Sequence, residues 1–280
     1  MNILVTGSRG LLGKELSRQL KEKYGYNIYE INRSNCDLLN FESVKDFFVN
    51  TDTKYDLVLH TAIEGGRRTK KDEEVIVYRN ILMLYNLLSF QNYYQCIISF
   101  GSGAELDRRY DVNPMSINRY PVDPYGLSKS VIDKMSLVEE KLCNFRIYNC
   151  FGVNEQPDRM IRSNVNKYIN KENIVIHQNR TMDFFYIDDL IKLIDYFITS
   201  NNIPKVFDCC YKTKTTLLDI ANIINNLDEH KVEVIHNKEE DFHISCSNKD
   251  FYGQYVETHI PYIGLEQGIR EMYNHFKKAN

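Results

Sequence analysis

The sequence predicts an α/β protein: a doubly wound parallel sheet followed by a smaller, discontinuous C-terminal lobe. Three observations predict it. Short β-branched runs alternate with helical patterns from the first residues, a strand–glycine loop–helix segment leads the chain, and the alternation loosens beyond Gly152.

Strands are expected at 3–6, 28–31, 57–60, 96–100 and 145–148, where continuous apolar runs fit strands covered on both faces. Helices are expected between them at 11–24, 41–48, 74–90 and 124–141. Past Gly152 the pattern reads as a helix at 163–169 and a strand pair around Ile174 and Phe184. A helix at 188–198 and a strand at 206–210 then return the chain to the sheet. Thr216 and Asp219 form a capping-box start to a helix at 217–227, and a closing helix spans 263–276. The expected division is a nucleotide-binding domain over 1–155 with about 186–213, and a second lobe over 156–185 and 214–280.

With 280 residues, 43% of them hydrophobic, the chain can bury one large core and a smaller one. A net charge of -3, with both signs interspersed, argues against a nucleic-acid partner. The start MNILVTG lacks the basic and apolar regions of a signal peptide, and no stretch approaches the roughly 18 apolar residues of a span, so a cytoplasmic protein without a membrane partner is expected. Seven cysteines without CxxC spacing read as small packing residues, and seven scattered histidines without HExxH predict no metal site.

The leading segment runs from Ile3 through Gly7-Ser8-Arg9-Gly10-Leu11-Leu12-Gly13. Its first glycine permits a tight turn, its second lets a phosphate reach bare N–H groups, and its third lets helix and strand lie close. This is a Rossmann dinucleotide site by context, strand before and helix after. An acidic residue at the tip of the second strand would grip the NAD ribose. Here Glu30 lies inside the strand and Arg33 stands at the tip, with Arg9 in the loop, so NADP is favoured. Arg33 also reads as a solvated turn residue, which leaves NAD open.

Asp123-Pro124 is a helix start, which places Tyr125 and Lys129 at i and i+4 on one face. A neighbouring ammonium favours phenolate and brings a phenol toward the working range of an acid–base group. The spacing alone is weak, because 20 tyrosines yield roughly one or two such pairs by chance. Tyr273 and Lys277 repeat it in the closing helix, without a glycine loop or a serine-bearing strand end, and read as surface structure. Tyr125 differs by its company, for the strand 96–100 runs into Gly101-Ser102-Gly103-Ala104 and sets a hydroxyl at a sheet's carboxyl end, where such sheets bind ligands.

Taken together, these residues resemble the extended short-chain dehydrogenase/reductase family that acts on nucleotide-linked sugars. The resemblance covers nearly the whole chain and extends to Cys36-Asp37-Leu38, Thr61-Ala62, Asn80, Arg146-x-x-Asn149-x-Phe151-Gly152 and the run 183–190. Within it, the pattern is most similar to the 4-ketoreductases of the GDP-fucose-synthase type. The resemblance implies catalysis by Ser102, Tyr125 and Lys129. It implies cofactor contacts from Gly7, Ser8, Arg9, Gly10, Leu11, Gly13, Arg33, Asp37, Leu38, Thr61, Ala62 and Asn80, joined by Tyr125 and Lys129. Substrate contacts are implied at Ser102, Gly103, Ala104, Tyr125, Asn149, Asn164, Arg180 and Tyr186.

Departures narrow this implication. The cysteine and histidine of 3,5-epimerisation match Ala104 and Asn164, neither able to act as acid or base there. Gly103-Ala104 lacks the acidic pair of the dehydratases. The arginine expected immediately before Asp183-Phe184 is Met182, with Arg180 two positions earlier.

The expected activity is NADP-dependent reduction of a nucleotide-linked 4-keto-6-deoxy sugar. A nucleotide-sugar 4-epimerase with tightly bound NAD uses the same three residues, and a non-catalytic cofactor-binding subunit is a third reading. The resemblance also implies a homodimer through a four-helix bundle of the helices carrying Asn80 and Tyr125. Val75, Ile76, Leu82, Leu84, Ile132, Met135 and Leu137 offer its apolar faces, or else ordinary core-facing stripes.

Overall fold

The computed structural model describes residues 1–67, 70–106, 120–236 and 259–279. In order come β1 (Asn2–Thr6), α1 (Leu11–Tyr24), β2 (Asn27–Ile31), α2 (Phe41–Val49), β3 (Tyr55–His60), α3 (Val75–Leu88), β4 (Tyr94–Ser102), α4 (Pro124–Val138) and β5 (Leu142–Ile147). The apolar runs are buried as their composition requires: Ile3, Leu4, Val5, Leu57, Val58, Leu59, Ile97 and Ile98 have no exposed surface.

The sheet order is β10-β5-β4-β3-β1-β2, with β10 spanning Val206–Cys209. β1 pairs in parallel with β2 on one side and β3 on the other, so Ile3 lies opposite both Ile28 and Leu57. Chain direction across the sheet therefore reverses between β1 and β3. That is the switch point at which open α/β sheets leave a crevice at their carboxyl ends. The doubly wound arrangement expected from the alternation of strand and helix is the one observed.

The described residues divide into two compact units, one within 1–106, 120–146 and 194–207, the other within 147–193, 208–236 and 259–279. The first holds α1 to α4 and its core joins Leu4, Val44, Phe48, Val58, Leu84, Leu87, Ile97 and Ile132. The second begins with β6 (Cys150–Phe151), α5 (Met160–Ile169), β7 (Ile174–Ile176), β8 (Thr181–Met182) and β9 (Phe185–Tyr186). Helix α6 (Ile187–Ser200) contains the boundary. β11 (Thr215–Thr216), α7 (Leu217–Asn225), β12 (Val234–His236) and α8 (Leu265–Ala279) complete the second unit.

Two expectations need correction. The strands near Ile174 and Phe184 do not pair with each other. β7 pairs with β12 and β9 with β6, both in parallel, because Asn149 and Glu233 carbonyls take the N–H groups of Phe185 and Ile174. Helix α4 stops at Val138 rather than 141, since Leu142 already belongs to a strand and Lys141 donates its ammonium to the Gln91 and Tyr94 carbonyls. The apolar residues offered for a dimer face or for core-facing stripes separate: Ile76, Leu84 and Ile132 are buried in the core, Leu82 and Met135 are half-buried, and Val75 and Leu137 face outward with Tyr78, Tyr85 and Val138. The 3.6-residue period decides this, turning 76, 80, 83, 84 and 87 of α3 inward.

Among the described residues no helix is long and apolar enough to cross a membrane. Cys246 lies outside the described residues.

Candidate active site

The glycine loop is shaped by contact with the turn after β3. Gly7 has φ +65°, and a Cβ there would stand 2.7 Å from Ala62 Cα; one on Gly13 would lie 2.5 Å from Gly7 O and 2.7 Å from Thr61 Oγ1. Thr61 Oγ1 donates to Thr6 O at 2.6 Å and Gly10 N to Gly7 O at 2.8 Å, which closes the turn. Gly10 caps α1 in an extended conformation with no side-chain acceptor, so the first-turn N–H groups are left for an anion. A dinucleotide diphosphate fits this bare cradle. Ser8 is buried, while Arg9 and Leu11 are exposed at its rim.

At the tip of β2, Arg33 pairs with Glu64 Oε1 at 2.7 Å, and Arg79 of α3 reaches the other oxygen at 3.2 Å. Burial works against the charge of Glu64, yet the two guanidinium groups hold it below the usual carboxylate range. Asn80 is wholly buried and committed: its Oδ1 accepts from Glu64 N at 2.8 Å, and its Nδ2 donates to Glu64 O and Ser128 Oγ, both at 3.0 Å. It therefore shapes the loop after β3 and ties it to α4. Asp37 Oδ1 accepts from Leu39 N, and the buried Leu38 offers its carbonyl to Asn86.

Ser102 ends β4 and caps the 3-10 turn Gly103–Glu105; its Oγ accepts from Ala104 N at 3.1 Å, leaving its own hydrogen to donate. Asp123 caps α4 by accepting from Gly126 N at 2.6 Å, so Tyr125 stands in the first turn and Lys129 one turn deeper. Lys129 Nζ lies 5.8 Å from the centre of the Tyr125 ring and donates to Phe100 O. Burial pulls Lys129 down to about 8, and Glu105 opposes the shift. His60, at the end of β3, is pushed down to about 3 by burial and then by Lys129, and it shares a 2.8 Å hydrogen bond with Thr6 Oγ1. It is a neutral core histidine.

In the second unit, Asn149 donates to Asp183 O at 2.9 Å and accepts from Arg159 at 3.4 Å. Arg180 donates to Gln178 Oε1, and its buried Nε has no hydrogen-bond partner among the described residues. Two candidates are consumed internally. Asn164 donates to Met160 O and accepts from Val175 N, joining α5 to β7. The buried Tyr186 gives its hydroxyl to Glu271 of α8 at 2.9 Å. The sequence assigned no role to Glu64, Glu105 or Gly66; a Cβ on Gly66 would stand 2.9 Å from the Tyr125 ring.

The second Tyr-x-x-x-Lys pair is spent on one carboxylate. Tyr273 Oη and Lys277 Nζ donate to Asp228 Oδ2 at 2.7 and 2.6 Å.

Comparison with known proteins shows the family and the fold. The profile of the NAD dependent epimerase/dehydratase family matches residues 3–210. The chain belongs to that family. A relative of this epimerase/dehydratase chain, the dTDP-D-glucose 4,6-dehydratase of Dictyostelium discoideum, is 25% identical over 80% of the chain, which spans 62% of the relative's length. Two solved structures share the fold over nearly the full length. The GDP-mannoheptose C4 reductase of Campylobacter jejuni with NADP bound has a TM-score of 0.79 at 17% identity, covering 99% of this chain and 98% of that one. The UDP-glucose 4-epimerase of Thermotoga maritima has 0.80 at 19%, covering 100% and 99%.

Proposed function

We propose that this family member is a cytoplasmic NADP-dependent reductase of a nucleotide-linked 4-keto-6-deoxy sugar, without 3,5-epimerase activity. One observation carries the reading: Ser102, Tyr125 and Lys129 end β4 and open α4 at the carboxyl edge of the sheet that also bears the bare glycine loop. The residues after Ser102 supply no competing chemistry. Gly103 and Ala104 carry no acid or base, and the carboxylate that follows, Glu105, is turned onto Arg146.

Gly7, Gly10 and Gly13 would admit the diphosphate to the amides of α1, Arg9 and Arg33 would meet the 2′-phosphate, and Asp37, Leu38, Thr61 and Ala62 would line the adenosine side. NADPH, when bound, supplies the hydride for the keto carbon. Tyr125 gives its phenolic proton to the sugar oxygen, so that ketone, hydride and proton become alcohol. Ser102 donates a hydrogen bond to the same oxygen and meets the charge that develops on it. Lys129, cationic below pH about 8, favours the phenolate that Tyr125 leaves behind. Arg180, as the guanidinium near the expected motif position, is the second unit's candidate for the substrate diphosphate, with Asn149 for the sugar.

The test is incubation of the purified chain and NADPH with GDP-, UDP-, dTDP- and CDP-linked 4-keto-6-deoxy sugars. One of them is expected to consume NADPH in step with alcohol formation; no oxidation with any would refute the reading. Protein that carries NAD through gel filtration and interconverts 4-hydroxy epimers without net NADPH use would be a 4-epimerase. The outward Val75, Tyr78, Tyr85, Leu137 and Val138 support a homodimer through α3 and α4, and Tyr85→Lys is expected to yield monomers by light scattering.

A further inference from the structure

Two arginines from distant parts of the chain meet on one carboxylate at the tip of β2. Arg33 sets a terminal nitrogen 2.7 Å from Glu64 Oε1, and Arg79 sets one 3.2 Å from Oε2. The meeting is built from below. Asn80, wholly buried and next to Arg79 on α3, grips Glu64 by its N–H and its carbonyl, which fixes this residue beside the helix. The turn after β2 is closed by its own side chains: Asn32 Oδ1 accepts from Ser34 N and Oγ, Asn35 Oδ1 accepts from Asn32 N, and Asn35 donates to the Glu30 carbonyl. Arg33 is the charged residue of that turn. The turn adjoins the glycine loop, because Ser8 N donates to Ile31 O at 3.3 Å.

The charges do not balance. Burial opposes the ionisation of Glu64, yet Arg33 and Arg79 hold it below the ordinary carboxylate range, so it is an anion at neutral pH. Two guanidinium groups then face one negative charge, and one positive charge is left over. Their reach is not exhausted either. Among the described residues each gives Glu64 one terminal nitrogen, and the side chains of Arg33 and Arg79 remain 69% and 45% exposed. A single arginine would complete the pair if fastening the loop were its purpose, and exposed pairs of this kind hold weakly. Two guanidinium groups gathered on the two oxygens of one carboxylate fit a phosphate monoester, whose oxygens have a similar spacing and whose dianion attracts them more strongly than a carboxylate does.

We propose that Arg79 is a further ligand of the adenosine 2′-phosphate of NADP, beside Arg33 and Arg9, and that Glu64 is the counter-ion which this phosphate displaces. The inference rests on the NADP assignment above and not on the reductase chemistry. Glu64 thereby sets the discrimination between the two dinucleotides. With NAD, whose ribose keeps a 2′-hydroxyl, the guanidinium groups stay on Glu64. With NADP they turn to the phosphate, and Glu64 is left close by as a negative charge that opposes it. Loss of Arg79 and loss of the Glu64 charge therefore act in opposite directions, and on the 2′-phosphate alone. A purely structural bridge would make both losses act alike, on NADP and NAD together.

The experiment is calorimetric titration of the full chain with adenosine 2′,5′-bisphosphate and with 5′-AMP, two probes that differ by the 2′-phosphate alone and need no turnover. The readout is the ratio of their dissociation constants. In the parent the bisphosphate is expected to bind about 100-fold more tightly, a factor of about ten for each of two charge-assisted contacts. Arg79→Met should lower that ratio about tenfold and Glu64→Gln should raise it about threefold, with 5′-AMP unchanged in both. A ratio that does not fall in Arg79→Met, or does not rise in Glu64→Gln, overturns the proposal. Should Glu64→Gln not fold, Arg79→Met decides alone. A parent that binds both probes equally would overturn the proposal and the NADP assignment together. Absence of NADPH oxidation with every sugar would refute the reductase reading only and leave these titrations to decide on Arg79 and Glu64.

Discussion

Helices α4 and α8 each carry a tyrosine four residues before a lysine, and the local geometry is nearly the same. The ammonium lies 5.8 Å from the ring centre in Tyr125–Lys129 and 5.2 Å in Tyr273–Lys277. Their surroundings differ. Lys129 is buried, donates to a backbone carbonyl and is drawn down to about 8 by desolvation. Lys277 is exposed, sits on Asp228 and is raised, first by that hydrogen bond. A tyrosine beside the first lysine meets a cation; a tyrosine beside the second shares a carboxylate with it. Spacing brings two groups together, and the third neighbour decides whether they do chemistry.

The largest contrast is expected from the tyrosines. Tyr125→Phe removes the proton donor and should lower kcat by about 10²- to 10⁴-fold in NADPH oxidation, whereas Tyr273→Phe should leave it within about twofold. Equal losses would erase the distinction between the helices.

The lysines should separate activity from stability. Lys129→Met is expected to abolish turnover and yet raise the melting temperature at pH 7, because a depressed lysine costs stability while it must be held protonated in the fold. The gap from the parent should close as pH rises from about 8 toward the unfolded value of about 10.4, where the unfolded chain also gives up its proton. Lys277→Met should leave turnover intact and lower the melting temperature. A destabilised Lys129→Met would show that the burial of Lys129 is offset by contacts and carries no strain.

A smaller effect tests the nucleotide half of the site, which α8 lacks. Arg33→Ala should raise the KM for NADPH about tenfold, the equivalent of one charge-assisted hydrogen bond, and leave that for NADH unchanged. An equal rise for both would assign Arg33 to its pairing with Glu64. Smallest of all, Asp228→Asn should melt slightly below the parent at neutral pH. Lys277 first and Tyr273 second hold Asp228 well below the carboxylate range, so its contribution is present above the unfolded value of about 3.9 and fades as acid protonates it. High salt should shrink the same difference.

How much of this was legible in the chain depended on whether a requirement was local. The glycine loop declared itself because a positive φ at Gly7 and a bare approach at Gly13 restrict residue type directly. Asp123 as the cap of α4 and the Thr216–Asp219 capping box were equally local, and both form. The order of β2 beside β1 is not local, and it followed only from the doubly wound pattern as a whole. Glu64 was invisible to any such pattern: its meaning lies in Arg33 and Arg79, 31 and 15 positions away in sequence, at the β2 tip and in α3. Asn164 and Tyr186 fell on motif positions, yet backbone groups and Glu271 occupy their polar atoms, something no spacing announces.

The central claim is that the α4 pair, with Ser102, completes a hydride transfer to a sugar carbonyl. It is tested most directly by supplying NADPH deuterated at the transferable position of its nicotinamide together with the panel of nucleotide-linked 4-keto-6-deoxy sugars, and locating the label by NMR. Deuterium at C4 of the product alcohol, one per NADPH oxidised and absent with Tyr125→Phe, is the predicted result. Label retained on the nucleotide while the sugar changes, or transfer undiminished in Tyr125→Phe, would contradict it.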